Sequence, residues 1–315
     1  MANNRELILP AGRPVPDPGT GSIFFIGTAT VLIRCAGFTI LTDPNFLHRG
    51  EQVRLGYGLR STRRTNPAIS FQDLPRIDLV VLSHMHDDHF DRLVAQRLNR
   101  AVPIVTTGHA AAALHNMGFR APQPLDTWET LTVVKGDARL RITAMPGMHG
   151  PGPLSALLPP VMGSMLDFYI GPAGPSDAPI LRLYITGDTL IHERLRDIPA
   201  RFPGIDLALL HLGGTRVARV LLTMDAAQGV DAIRIVRPRL AIPIHFNDYT
   251  VFKSPLRDFA RAVAAAGLQQ RVKYLKHGDT YHFPVRQPGA TAPARAQPVD
   301  TTGSMWAAAP AAPDR

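Results

Sequence analysis

Residues 79–89 read Leu-Val-Val-Leu-Ser-His-Met-His-Asp-Asp-His, an apolar run that leads directly into a cluster of polar side chains. The run predicts a buried strand, and His84 and His86 alternate after it, so both side chains share one face of an extended backbone. Asp88 and His89 fall in the following turn, which can direct them to the same point. Imidazole nitrogen and carboxylate oxygen are ligands of divalent transition metals, zinc above all. The stretch therefore predicts a metal site; a solvated loop of unrelated histidines is the alternative.

The pattern His-x-His-x-Asp-His in this stretch resembles the metallo-β-lactamase superfamily. The resemblance implies a fold of the α+β / α/β class, a four-layer αβ/βα sandwich. It also implies two divalent metal ions bridged by a hydroxide, with zinc as the expected metal and manganese or iron as alternatives. Three further ligands are implied downstream: a histidine, an aspartate and a last histidine, each at the end of a strand.

Three downstream residues match these implied ligands. His149 follows a β-like run and lies among prolines and glycines. Asp188 follows a strand candidate in Gly-Asp-Thr, whereas a second Gly-Asp-Thr, at 278–280, is interpreted as a hairpin turn. His245 follows another apolar run. By the resemblance, one ion is held by His84, His86 and His149, the other by Asp88, His89 and His245, and Asp188 bridges the two.

Three residues are candidates for roles around the metal ions. The resemblance makes the bridging hydroxide the nucleophile, and Asp88 is a candidate catalytic residue as well as a ligand. His211 ends the apolar strand candidate 207–211 and is a candidate proton donor or substrate contact; a buried core histidine is the alternative. Asp43 ends an earlier strand candidate and can orient a metal-binding histidine by accepting its hydrogen bond; a strand-ending turn residue is the alternative.

The opening stretch 22–34 resembles one branch of the superfamily, which contains ascorbate-6-phosphate lactonase and N-acylphosphatidylethanolamine phospholipase D. In that branch the first strand is typically interrupted by Gly-His-Ala/Ser-Thr. Here the interruption reads Gly-Thr-Ala-Thr over 27–30, with Thr28 in place of the histidine. Any role of that histidine is therefore not transferred to this chain.

Candidate substrate contacts lie in basic and apolar segments outside the metal motif. Tyr57 and Arg60 belong to a long basic loop, and Lys253 follows the last predicted ligand, so these side chains can meet an anionic small-molecule substrate. Solvated surface charges are the alternative. The apolar stretch 150–176 suits a substrate with an apolar part, and packing onto the domain or onto a second copy in a homo-oligomer is the alternative.

Composition describes an ordinary globular protein. The 315 residues are 45% hydrophobic and 19% charged, and the formal net charge is +9. We expect an irregular lead-in at 1–20, a single domain at 21–285 and a disordered tail rich in proline and alanine at 286–315. A single cysteine excludes an internal disulfide, and neither a signal peptide nor a membrane-spanning run is visible. These features favour a cytoplasmic protein.

The leading hypothesis is a binuclear metal-dependent hydrolase that uses a metal-bridging hydroxide on a small ester, lactone or phosphodiester. A nuclease of the RNA-processing type is an alternative, supported by the positive charge. Against it, the arginines are dispersed and no long basic appendage is visible. A non-catalytic binding protein of the same fold is the third hypothesis, and the full set of ligand candidates argues against it.

Overall fold

Two seven-stranded sheets face each other across the main hydrophobic core of the protein. The computed structural model describes residues 5–11, 19–55, 60–152, 155, 157–171, 178–217 and 219–287. In chain order the strands are β1 Arg5–Leu9, β2 Thr20–Gly27, β3 Thr30–Cys35, β4 Phe38–Thr42, β5 Gln52–Arg54, β6 Arg60–Thr62, β7 Leu79–Val81, β8 Ile104–Thr106, β9 Pro122–Pro124, β10 Thr130–Lys135, β11 Ala138–Pro146, β12 Met162–Ile170, β13 Leu181–Ile185, β14 Leu207–His211, β15 Gly213–Val217, β16 Val220–Leu221, β17 Leu240–Ile244, β18 Phe252–Ser254 and β19 Thr280–Pro284. The α-helices are α1 Arg92–Arg97, α2 Gly108–Asn116, α3 Asp197–Arg201, α4 Ala226–Val236 and α5 Leu256–Ala265. Short 3-10 helices cover Phe71–Asp73, Glu193–Arg196 and Gln269–Arg271.

The helices cover the outer faces of the two sheets. The first sheet has the order β19-β2-β3-β4-β7-β8-β9, and the second has the order β1-β10-β11-β12-β13-β14-β17. Apolar side chains of α1 and α2 pack on the first sheet, and those of α3, α4 and α5 pack on the second. The four-layer αβ/βα sandwich predicted from the metal motif is therefore confirmed.

Parallel strands in both sheets bring functional side chains to one edge. The first sheet contains the parallel run β4-β7-β8-β9, and the second contains β13-β14-β17. Such strands are covered on both faces and are therefore continuously apolar; β7 and β14 are buried along their whole length. Because the carboxyl ends of parallel strands meet at the same edge, residues that follow them converge there.

The structure corrects two sequence predictions about the ends of the domain. Arg5–Leu9, placed in an irregular lead-in, forms β1 and pairs in parallel with β10. The Gly-Asp-Thr at 278–280 is not a hairpin turn, because the strand it opens, β19, pairs with β2 at the other end of the chain. The rest of the lead-in (1–4, 12–18) and the tail from 288 lie outside the described residues.

The apolar stretch 150–176 contributes mainly to the second sheet. Its residues 162–170 form β12, which lies between β11 and β13 with almost every side chain buried. For residues 162–170 the structure thus agrees with the alternative that the stretch packs onto the domain, and not with a wall that faces the substrate. Positions 153, 154, 156 and 172–177 lie outside the described residues. Among the described residues, no helix combines the length and the apolar composition that a bilayer span requires.

Asp91 links the segment after the metal motif to the loop after β4 through hydrogen bonds. Its Oδ1 accepts a hydrogen bond from the Val94 backbone N–H at 2.8 Å and thereby caps α1. Its Oδ2 accepts from the backbone N–H groups of Leu47, at 2.9 Å, and Phe46. One buried carboxylate thus satisfies three backbone donors that otherwise lack a partner.

Replacing Asp91 by alanine is expected to lower the free energy of unfolding by about 3 kcal/mol, because it removes a helix cap and leaves two further backbone N–H groups without acceptors. The matched control is Asp225→Ala, which removes the cap of α4, where the side chain accepts from one backbone N–H, that of Gln228, and pairs at 3.1 Å with the exposed Arg216 guanidinium. That loss should cost about 1 kcal/mol. Urea unfolding measures both, and equal losses would contradict the role given to Asp91.

Candidate metal centre

The seven predicted ligands meet in one buried cluster. Four of them follow β7 of the first sheet, and the other three follow β11, β13 and β17 of the second. Their donor atoms form three overlapping groups, and within each group these atoms lie within 4.8 Å of one another. The groups are His84, His86 and His149; His84, His89 and Asp188; and Asp88, His89 and His245.

Asp188 lies between the histidines of the two sheets. Its Oδ2 is 3.4 Å from His89 Nε2, and its Oδ1 is 3.4 Å from His245 Nδ1. Asp88 lies on the other side of His245, with Oδ2 3.5 Å from His245 Nε2. In the neighbouring group, His84 Nε2 is 2.9 Å from His86 Nδ1. These distances place imidazole nitrogens and carboxylate oxygens around a common centre, as a metal site requires.

Backbone and hydroxyl groups orient most of these imidazoles. His245 Nδ1 donates to the Leu212 carbonyl and His149 Nδ1 donates to the Leu222 carbonyl, both at 3.1 Å. A carbonyl oxygen can only accept, so Nδ1 carries the proton and Nε2 is free to face the cluster. This is the arrangement that outer hydrogen-bond partners impose on metal-binding histidines.

Local backbone geometry at the strand ends directs side chains inward. Asp43 and His245 have φ of 34° and 58°, in the left-handed region that non-glycine residues rarely adopt. Gly187 has φ of 62°, and a Cβ there would lie 2.7 Å from the Met162 carbonyl oxygen. The Asp188 turn therefore needs glycine at position 187, which brings the carboxylate close to β12.

Four buried polar atoms of the cluster lack a hydrogen-bond partner among the described residues: Asp88 Oδ1, His89 Nε2, Asp188 Oδ1 and His245 Nε2. A buried polar atom without a partner costs about 1–3 kcal/mol or more, so native proteins rarely leave several together. Two carboxylate oxygens and two imidazole nitrogens are suitable ligands for a divalent cation. The residues present therefore fit the metal that the motif implies.

The carboxylates control the charge of the two histidines nearest to them. Burial lowers the pKa of His89, but Asp188, Asp43 and Asp88 outweigh it, and the pKa lies well above its ordinary value. Burial likewise lowers the pKa of His245, but Asp188 and Asp88 leave it raised. The positive charge that these carboxylates attract is the charge that a metal ion supplies.

The three-histidine group has the opposite electrostatic character. Burial, followed by the neighbouring charge of His149, lowers the pKa of His86 to about 4. Burial lowers the pKa of His84 well below its usual value, and it lowers that of His149 as well. These imidazoles are therefore neutral near pH 7, which is the form that binds a metal.

Asp43 lies directly behind the cluster. Its Oδ1 accepts from the Ser83 backbone N–H at 2.7 Å and from Ser83 Oγ at 2.9 Å, and it is 3.5 Å from His89 Nδ1. Burial raises the pKa of Asp43, but His89 and His211 outweigh it and lower the pKa, so the carboxylate is charged. The geometry agrees with the predicted orienting role of Asp43 for a metal-binding histidine.

His211 lies beneath the cluster with 0% of its surface exposed. Its Nε2 donates to Asp43 Oδ2 at 3.2 Å, and its Nδ1 is 3.2 Å from Thr186 Oγ1. Burial lowers the pKa of His211 despite Asp43. With both nitrogens engaged and no exposed surface, His211 matches the buried-histidine alternative better than direct proton donation to a substrate.

Two of the three predicted substrate contacts are exposed side chains of short strands, and the third lies outside the described residues. Arg60 is exposed at the start of β6, in a hairpin whose Arg54 backbone N–H donates to Asp87 Oδ2 at 3.0 Å. Lys253 is exposed on β18 and its Nζ donates to the Thr250 carbonyl at 2.8 Å. Tyr57 lies outside the described residues.

Ser83 is a site residue that sequence reasoning missed. Its Oγ is 3.0 Å from His84 Nδ1 and 3.3 Å from His89 Nδ1, so one hydroxyl contacts two histidines of the cluster. The signal available was its position directly before His84, at the end of a buried strand. Serine is too common at strand ends for that position alone to single it out.

Comparison with known proteins identifies the family. A family model described as a β-lactamase superfamily domain matches residues 39–246. A UPF0173 metal-dependent hydrolase of Opitutus terrae is 31% identical over 212 residues, covering 64% of this chain and 81% of that protein. Another, of Anaeromyxobacter sp. strain K, is 26% identical over 278 residues, covering 87% of this chain and 90% of that protein.

A solved structure has the same fold. Isothiocyanate hydrolase from Delia radicum gut bacteria superposes with a TM-score of 0.69 at 20% identity, over 84% of this chain and 99% of that one. At this identity the likeness concerns the fold alone. The family model and the named relatives carry the assignment further: the chain belongs to the metallo-β-lactamase superfamily, among the UPF0173 metal-dependent hydrolases.

Proposed function

We propose that this protein is a binuclear metal-dependent hydrolase of a small ester, lactone or phosphodiester. The observation that carries the proposal is the convergence of donor atoms from Asp88, His89, Asp188 and His245, four of which are buried without a hydrogen bond. They lie in a chain whose relatives are named metal-dependent hydrolases. A non-catalytic binding protein would not need to retain so many unsatisfied polar atoms, because their burial costs stability.

The number of donors supports two ions rather than one. A structural zinc ion takes four ligands, whereas seven candidate donors converge here. The neutral group of His84, His86 and His149 suits one ion, and the group of Asp88, His89 and His245 suits the other. Asp188 shares one donor group with His84, from the first set, and His89, from the second, which is the position a bridging carboxylate would take. The nitrogen-rich set favours zinc, with manganese or iron as alternatives.

When bound, two such ions would supply Lewis-acid activation of water and of the electrophilic centre of the substrate. The residues of the chain provide the proton handling and the orientation. Asp88 is a predicted ligand through one carboxylate oxygen, and its other oxygen can accept a proton from the attacking water. Asp43 and Ser83 hold His89 in place from behind, which keeps Nε2 directed at the reaction centre. The resemblance of the opening stretch 22–34 to the branch that contains ascorbate-6-phosphate lactonase stays a prediction.

The substrate is proposed to be a small molecule with an anionic part and an apolar part. The positive net charge of +9 attracts anions to the surface in general. The same charge keeps an RNA-processing nuclease as the second candidate. A panel of esters, lactones, phosphodiesters and single-stranded RNA separates the two candidates, because only the nuclease would prefer the polymer over the small phosphodiester.

Substituting the predicted ligands should abolish both metal binding and hydrolysis. Elemental analysis of purified protein is expected to find about two divalent ions per chain, since seven donors are shared between two sites. Either His86→Ala or Asp188→Ala should lower kcat/KM by about 100-fold or more, because losing even an outer partner of a metal ligand costs about 10–100-fold. Chelation should remove the activity, and added metal should restore it.

The matched control is His109→Ala, which removes an exposed histidine of α2 outside the cluster. Its metal content and activity should equal those of the wild type. Activity that survives both His86→Ala and Asp188→Ala would eliminate the proposed mechanism, whereas a metal-free wild type that still hydrolyses the panel would eliminate the metal requirement.

Asp43 and His211 should differ in their effect on catalysis. Asp43→Ala removes the acceptor that contacts Ser83 and His89, so we expect metal affinity to fall by about 10–100-fold. His211→Gln should cost about tenfold in activity at most, the lower end for an outer partner of a metal ligand, because its hydrogen bonds go to Asp43 and Thr186. Metal titration and steady-state kinetics measure both effects. A loss of kcat in His211→Gln at full metal content would instead support the predicted proton donor.

A further inference from the structure

The turn between β2 and β3 contacts the backbone of the last predicted ligand. The His245 backbone N–H donates to the Thr28 carbonyl at 2.6 Å. The Thr28 backbone N–H donates in turn to Asp248 Oδ2 at 2.8 Å. Both contacts join segments that are more than 200 positions apart in the sequence. A chain of hydrogen bonds therefore runs from the Asp248 carboxylate through one peptide unit on each side of Thr28 to His245.

Thr28 acts through its backbone rather than its side chain. Its Oγ1 is buried and has no hydrogen-bond partner among the described residues. Its φ is 54°, and that of His245 is 58°, so both residues adopt the left-handed conformation. A non-glycine residue keeps this conformation only where surrounding bonds enforce it, at a cost of about 1–3 kcal/mol. The bonds to Asp248 and His245 are the enforcing contacts at this turn.

Asp248 is itself held rigidly. Its side chain is 0% exposed, and its Oδ1 accepts from Thr65 Oγ1 and lies 3.3 Å from His277 Nε2. Burial raises the pKa of Asp248, but His277, Thr65 and the nearby Arg63 guanidinium outweigh it and lower the pKa. The carboxylate is therefore charged at neutral pH, and a charged acceptor forms a stronger hydrogen bond with the Thr28 N–H.

We propose that Asp248 is a positioning residue for the metal ligand His245, acting through the backbone of Thr28. The charged Oδ2 holds the Thr28 N–H, which fixes the Thr28 carbonyl at the point where it accepts the His245 N–H. That bond keeps His245 in its left-handed conformation, with Nε2 directed at Asp88. The inference rests on the proposed metal centre, because it gives Asp248 a role only in relation to His245.

A purely structural role for Asp248 is the competing explanation. The two carboxylate oxygens separate the alternatives, since Oδ1 contacts Thr65 and His277, whereas Oδ2 contacts Thr28. If Asp248 only anchors the surrounding loops, losing either set of contacts lowers stability and leaves metal affinity unchanged. If Asp248 positions His245, only losing the Oδ2 contact changes metal affinity.

The experiment compares zinc binding by four variants and the wild type, through competition with a chromophoric chelator. His245→Ala identifies the equivalent of zinc that depends on His245. Asp248→Ala should weaken that same equivalent by about 10–100-fold and leave the other within about threefold. Asp248→Asn keeps an oxygen acceptor for Thr28 and should restore the affinity. The matched control Thr65→Ala removes only an Oδ1 contact and should bind both equivalents like the wild type.

Unchanged affinity in a folded Asp248→Ala protein, or equal weakening in Thr65→Ala, would overturn the proposal. Should Asp248→Ala fail to fold, amide hydrogen exchange of the wild type with and without zinc decides instead. Zinc should raise the protection of the Thr28 amide more than that of the Leu47 amide, which lies in another hydrogen-bond network, and equal changes refute the proposal. Failure of the metal centre itself would appear separately, as a wild type that binds no zinc.

Discussion

Three carboxylates are buried beside the histidines at one edge of the sandwich, and this concentration of negative charge constrains everything around it. Asp43, Asp88 and Asp188 are each at most 4% exposed. Charges so far from water need a cation or a proton nearby, because desolvation of an unpaired carboxylate is costly. His89 and His245 lie within 3.5 Å of these carboxylates, which raise the pKa of both imidazoles. A divalent ion held by the same residues would supply positive charge at this place.

The turns at the strand ends hold these charged side chains in place. The parallel strands bring the aspartates and histidines to one edge, and the turns that follow the strands have uncommon backbone conformations. Asp43 and His245 lie in the left-handed region, and Gly187 makes room for the Asp188 turn. Backbone carbonyls and the Ser83 hydroxyl then orient the imidazoles. The backbone strain at these turns is offset by the hydrogen bonds that the turns make. Loss of these hydrogen bonds would therefore displace the side chains of the site.

Sequence reasoning succeeded where the signal was local. The buried strand before His84 and the alternation of His84 and His86 follow from side-chain periodicity alone. The downstream members, His149, Asp188 and His245, were accessible because each follows an apolar run at the expected place. Their meeting in space agrees with the prediction, whereas their role as ligands stays a prediction. The four-layer fold, which followed from the same motif, is confirmed.

What the sequence could not indicate depends on contacts between distant segments. β1 forms a strand because it pairs with the edge of β10. Its five residues carry no pattern that distinguishes a strand from an irregular segment. The turn at 278–280 resembles a hairpin locally, but the strand it opens pairs with β2 more than 250 positions earlier. The sequence around Asp248 carries no local signal of its role, because its partners Thr28 and Thr65 are far away in the chain.

The cluster draws its side chains from both sheets of the sandwich, so an ion bound there would link the two sheets. Four donors follow a strand of the first sheet, and three follow strands of the second. An ion shared by such a set would hold the two sheets together as a cross-link. A disulfide within the chain cannot do this, because the protein has a single cysteine. At a free concentration one thousand times its dissociation constant, each ion would stabilise the folded protein against unfolding by about 4 kcal/mol. The supply of metal in its surroundings would then govern the lifetime of the protein as well as its chemistry.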